Sequence, residues 1–222
     1  VRSKLDWLGA LLLVVSLTAL TLFMSFVRQS EAHLTLVLAL LVGGVVAVLL
    51  FVRHEARFSE PILHMRHFRN PAFASIQLAA VLVNFCCFAN FLLMPYLLAD
   101  RADYSAMLSG VTLALFPIGS VIAGGAGGWI ARHVASALLM RGGLVLAATG
   151  LLCTALVSSG AAAIAAIGAS LFITGVGLGL FQVGYLDTTT SILPIAERGV
   201  AGSLINVTRL VGLMFGASGI TW

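Results

Sequence analysis

Long apolar runs alternate along this chain with short polar interruptions, and the runs have the length of whole helices. Seven of them reach or approach the roughly 20 residues needed to cross about 30 Å of hydrocarbon. They are Leu5 to Val27, Leu34 to Val52, Ala72 to Ala99, Ser105 to Ala131, Gly142 to Ser159, Ala161 to Asp187 and Val200 to Trp222. None shows the in-and-out alternation of an outer-membrane barrel strand. A backbone in hydrocarbon must satisfy its own hydrogen bonds, so each run is expected to be an α-helix. The expected fold class is all-α, a polytopic transmembrane helix bundle.

Composition removes the soluble alternative. Of 222 residues, 60% are hydrophobic and 9% charged, with a mean hydropathy of +1.10. That leaves too little polar surface to cover a water-soluble domain. Cys86, Cys87 and Cys153 all fall inside apolar runs, which offers neither a disulfide framework nor a zinc ribbon and makes them small packing residues. The first run, behind Arg2 and Lys4, is too long for the core of a signal peptide. A chain that starts at Val1 and stops at Trp222 inside an apolar run reads as a piece of a longer protein.

Charge sets the expected orientation, because Lys and Arg flanking the spans stay on the cytoplasmic side. Alternate connections, beginning with the N-terminal flank, hold Arg2, Lys4, Arg53, Arg57, Arg66, Arg69, Arg132, Arg141 and Arg198. The others hold only Arg28 and Arg101, and Arg209 lies within the last run. The N-terminal flank is therefore placed in the cytoplasm. The net charge of +4 expresses this bias; there is no basic stripe with interleaved aromatics, so no nucleic-acid partner is expected. In the longest connection, Arg53 to Pro71, Phe58, Ile62, Leu63, Met65 and Phe68 alternate with charges, which suggests a short helix in the membrane interface. His64 and His67 there are spaced i, i+3, but two ligands on one loop do not make a metal site.

Glycine is concentrated within the spans. Gly124 with Gly128, Gly175 with Gly179, and Gly212 with Gly216 are each spaced i, i+4, which permits close backbone approach. Tight packing and sliding of smooth helix faces both fit. At mid-depth the polar residues are uncharged: Asn84, Asn90, Thr112, Gln182 and Asn206. They are candidates to line a substrate cavity, with interhelical hydrogen bonding as the alternative. Phe85, Phe88 and Phe91 neighbour the two asparagines and fit either loosely specified apolar cations and planar compounds or plain packing.

The segment Gly175 to Gly216 carries Pro194, Glu197-Arg198-Gly199, Ala201-Gly202, and Arg209 with Gly212 and Gly216. In this it resembles the fourteen-helix drug:proton antiporter branch of the major facilitator superfamily. The approach PILHMRHFRNPAF is similar to that branch's P-x-L-x-L-x-x-F-R-N-x-x-F, and Pro95-Tyr96, Tyr104-Ser105, Gly110 and Pro117 follow the same pattern. The resemblance implies a proton-coupled exporter of small amphipathic compounds working by alternating access, with the proton gradient as driving force and no cofactor. The family's loop G-x-L-x-D-R-x-G-x-R corresponds here to the stretch from Gly128 to Gly142. Arg132 stands where the acid is expected, His133 where the arginine is expected, and Ala135 for the glycine, so the candidate gating loop (Gly128, Arg132, His133, Gly142) departs from the pattern.

In that family the loop joins the second and third helices of each half, which here would be the C-terminal one. The resemblance thus implies residues 1–53 as a linking transmembrane hairpin, 54–71 as a cytoplasmic loop, and 72–222 as a transport half with five of six helices. The implied partners are the lipid bilayer, a small-molecule substrate, and the N-terminal half and last helix of the same protein. Asp187, near the inner interface, and Arg209, on the following helix, form a candidate ion pair or proton-coupling site, because an unpaired guanidinium within a span is costly. A hydrated helix-end carboxylate is the alternative for Asp187. Transport of another metabolite, or a transporter-like sensor or scaffold, remains open. Gly216-Ala-Ser218-Gly219 has the form of an intramembrane serine protease nucleophile, but all five histidines lie in loops or at span ends, so an enzyme is not expected.

Overall fold

The computed structural model describes residues 7–26, 30–55, 68–99, 104–158, 164–194 and 198–220. Among them lie seven α-helices: α1 (Trp7–Phe26), α2 (Ser30–Glu55), α3 (Pro71–Ala99), α4 (Ala106–Ile130), α5 (Ser136–Ser158), α6 (Ile164–Ile192) and α7 (Arg198–Ile220). The chain is all-α, as its apolar runs require. Five helices, α2 to α6, are long and apolar enough to cross a membrane; α1 and α7 hold shorter apolar stretches, Trp7–Phe23 and Ala201–Ala217. Most of the connection before α3, with Phe58, Ile62, Leu63, Met65, His64 and His67, lies outside the described residues, as do Arg2, Lys4, Arg28, Arg57, Arg66, Arg101 and Glu197.

Local sequence explains where the helices start and stop. Asn70 caps α3, its Oδ1 accepting from the Ala72 amide at 3.0 Å, with Pro71 at the first helical position, where no amide donor is needed. Ser105 caps α4 by accepting from Leu108 N–H. Two boundaries depart furthest from the hydropathy pattern. Helix α5 begins at Ser136, ahead of the expected Gly142, because Leu139, Gly143, Ala147 and Gly150 already form one continuous buried stripe and Arg141 points to the exposed side. Helix α6 runs past Asp187 to Ile192. Thr190 and Ser191 return their hydroxyls to the carbonyls of Leu186 and Thr188, each at 2.8 Å, which lets a polar run stay helical.

Helix α6 is the centre of the bundle, flanked by α5 and α4, while α3 pairs chiefly with α7 and α1 with α2. Its two small-residue faces explain this position. A Cβ added at Gly177 or Gly184 would strike the backbone of α5 at Ala147 or Met140, and one added at Gly175 would strike the backbone of α4 at Phe116. Gly212 and Gly216 of α7 likewise meet α3, the former with its Cβ position 2.7 Å from Asn84 Cβ. Gly124 and Gly128 do not act this way: their Cβ positions are open, and the close approaches on α4 fall at Gly119 and Gly127. The buried stripe of that helix is Phe116, Gly119, Ala123 and Gly127, one position and about 100° round from the expected pair. At one end of the bundle Phe51, Phe73, Leu193, Ala201 and Leu204 join α2 to α3, α6 and α7.

Candidate functional site

A cavity of about 260 Å³ opens where α3, α4, α6 and α7 meet. Helix α6 gives it Gly179, Gln182, Val183 and Leu186, spaced i, i+3, i+4, i+7 and therefore on one face, with Tyr185 at the edge. Helix α7 contributes Ile205, Asn206 and Arg209 at the same kind of spacing; Asn84 comes from α3, and Ser120 and Gly124 from α4. The walls are mainly apolar, with a small number of converging polar groups, the usual make-up of a small-molecule pocket.

Three of the five polar residues expected to share a cavity, Asn84, Gln182 and Asn206, are thus brought together, and Arg209 joins them. Asn84 is buried and donates from Nδ2 to the Ala80 carbonyl at 2.8 Å. Gln182, Asn206 and Arg209 make no hydrogen bond or ion pair among the described residues, so their polar ends are available to a guest. Thr112 and Asn90 do not line this cavity. Thr112 is buried and its hydroxyl returns to the Leu108 carbonyl at 2.8 Å; Asn90 is half-buried, with an Nδ2 that has no partner among the described residues. Phe91 stacks on Phe116 at 5.2 Å and so serves the packing of α3 on α4.

Beside the cavity lies a polar knot that the sequence reading missed. Tyr185 donates from its hydroxyl to Gln77 Oε1 at 2.5 Å, and Thr208 donates to the same oxygen at 3.2 Å. Gln77 is 4% exposed, Tyr185 3% and Thr208 6%, and Gln77 Nε2 has no partner among the described residues. One glutamine thereby ties α3, α6 and α7 together. The available signal was a lone carboxamide inside an apolar run, which belongs against another polar group.

The structure does not bring Asp187 and Arg209 together: no ion pair joins them among the described contacts. Asp187 is exposed, and Ser136, the first residue of α5, donates its hydroxyl to Asp187 Oδ2. The candidate gating loop is a tight turn, closed by Ala131 N–H to Gly127 O at 2.8 Å and His133 N–H to Ile130 O at 2.9 Å. Arg132 and His133 are both exposed; the His133 ring lies 4.9 Å from that of Trp129, and its Nδ1 is 3.2 Å from the Trp129 carbonyl. Gly128 and Gly142 are exposed with open Cβ positions. The turn is therefore linked to α6 through Ser136 and Asp187, and neither Arg132 nor His133 makes that link. Among the described residues no three of His, Cys, Asp or Glu cluster as metal ligands.

The sequence model described as Major Facilitator Superfamily matches residues 5–217. Among curated proteins, the chain is 29% identical over 221 residues to the cephamycin export protein CmcT of Amycolatopsis lactamdurans, covering 97% of this chain and 45% of that protein. It is 27% identical over 220 residues to the drug efflux pump JefA of Mycobacterium tuberculosis H37Rv, covering 97% and 42%. To a triacylglyceride transporter of Mycobacteroides abscessus it is 28% identical over 234 residues, covering 99% and 45%. The chain spans less than half the length of each of these relatives.

Proposed function

Because the chain belongs to the major facilitator superfamily, we propose that it forms part of a proton-coupled exporter of small amphipathic compounds, working by alternating access in the plasma membrane. The observation that carries this reading is the cavity itself. It lies on the seam between the α3–α7 pair and the α4–α5–α6 group, where relative movement of the two would expose or close it. Relatives named as an exporter and as an efflux pump support the direction, and a relative named as a triacylglyceride transporter widens the substrate range to lipids. In this reading α1 and α2 are the linking hairpin, α3 to α7 belong to one transport half, and the 131–135 turn faces the cytoplasm with the arginine-rich connections.

The test uses the intact transporter in inside-out membrane vesicles with an acid interior and an interior pH dye. Adding a transported amphipath should release protons from the vesicles, and a protonophore should abolish uptake. Uptake that survives the protonophore would remove proton coupling; no uptake across a chemically varied panel would remove transport itself.

A further inference from the structure

The cavity is electrically one-sided. Its lining residues include Arg209 with Asn84, Gln182 and Asn206, and among the described residues no Asp or Glu joins them. Asp187, next to Leu186 of the lining, is engaged elsewhere, by Ser136 of α5. Arg209 stands 11 residues after the first residue of α7, about 16 Å along the helix axis. A guanidinium so far from either end of an apolar helix is costly unless it faces water or a counter-charge. Gln182 and Asn206 flank it with amide donors that have no partner among the described residues, and Leu186, Val183 and Ile205 supply apolar wall.

Resting on the transport reading above, we propose that this cavity selects amphipathic anions: compounds with a carboxylate or similar oxyanion on a small apolar body. Arg209 takes the anionic head, since its planar fork pairs two oxygens at once. The amides of Gln182 and Asn206 donate to the remaining lone pairs, and the apolar wall covers the body. A cationic amphipath meets a like charge with no acid among the described lining residues to offset it. The sequence reading, guided by the phenylalanines, had allowed apolar cations; Phe91 is occupied with Phe116, and the charge that lines the cavity has the opposite preference.

The experiment uses the intact transporter and three probes of one shape: naphthylacetate, naphthylethanol and naphthylmethyl-trimethylammonium. Uptake into inside-out vesicles and binding in detergent solution, followed by naphthalene fluorescence anisotropy, are both measured. The expected order of affinity is anion, then alcohol, then ammonium. Arg209→Gln should weaken the anion roughly tenfold or more, the loss of a charge-assisted hydrogen bond, while leaving the alcohol within about twofold; Arg209→Lys should fall between the two, since it keeps the charge and loses the two-oxygen fork. Preference for the ammonium probe, or an equal loss of all three in Arg209→Gln, would overturn the anion assignment and make Arg209 a structural charge. Binding of the anion without uptake of any probe would leave that assignment standing and remove the transport reading.

Discussion

Helices α2 and α6 both qualify as membrane spans, and α2 is the more apolar of the two, yet 56% of the most apolar stretch of α6 is buried within the bundle against 22% for α2. Hydropathy therefore does not decide which helix sits in the middle. In a bilayer, lipid tails are as apolar as leucine, so large aliphatic side chains gain little by meeting another helix. Small residues do, because they let backbones touch. Helix α6 carries glycines on two faces and is gripped from both sides. Helix α2 buries only a narrow stripe that includes Val37, Gly44, Ala47 and Phe51, and leaves Leu and Val exposed around the rest. Its contact with α1 is also loose: the Cβ position of Gly44 is an ordinary 3.4 Å from Ala19 Cβ, and an apolar gap of about 150 Å³ lies beside it.

The sharpest way to break this comparison is to give the same side chain to one glycine of each helix. Gly177→Val would drive two methyl groups into the α5 backbone at Ala147, whereas Gly43→Val enters open space. Overpacking of this kind costs about 1–3 kcal/mol, and more where backbone must move. Thermal unfolding of the intact transporter in detergent should show a large drop, or no folded protein, for Gly177→Val and little change for Gly43→Val. Equal effects would mean that the glycines of α6 do not set its position.

The same contrast explains what was legible in the sequence. Every apolar run became a helix, since hydrocarbon leaves the backbone no other solution, and the errors in extent fell at ends where polar residues remain helical, as at both ends of α2, at Arg141 and at the Thr188 to Ser191 run. The i, i+4 glycine pairs located the faces of α6 and α7 but not that of α4, because spacing within one helix says nothing about the neighbour's direction. Asn84, Gln182 and Asn206 were recognisable as polar residues at similar depth. Their convergence with Arg209 depends on which helices are adjacent, and Gln77 found its two hydroxyl partners from residues more than 100 positions away.

A smaller effect sharpens the difference between packing and polar attachment. Gln77→Leu removes the shared acceptor of Tyr185 and Thr208 and strands both hydroxyls in a buried site, at a cost of about 2 kcal/mol. Tyr185→Phe removes one donor and leaves Thr208 on the glutamine, costing about 1 kcal/mol. Because the two changes share one interaction, the double variant should be less destabilised than their sum, as read from the same unfolding transitions. Strict additivity would show that the knot contributes nothing as a unit.

The smallest effect concerns Asp187, the acid that stands out in an otherwise uncharged helix. The sequence offers it Arg209 as a partner or hydration at a helix end, and the structure gives it Ser136 of α5 while Arg209 lines the cavity. Paired substitutions separate the two. A hydrogen bond between helices in a membrane is worth about 0.6 kcal/mol on average, and Asp187 is exposed, so the coupling between Asp187→Asn and Ser136→Ala should not exceed that value. The coupling between Asp187→Asn and Arg209→Gln should be close to zero, since groups that share no contact act independently. A buried ion pair would behave in the opposite way: either single change would strand a charge, and the double change would recover much of the loss. Recovery in the Asp187→Asn, Arg209→Gln double variant would therefore assign the acid to Arg209. It would also remove the unpaired guanidinium on which anion selection rests, so this smallest of the expected energies discriminates between an attachment of the 131–135 turn to α6 and a counter-ion for the cavity.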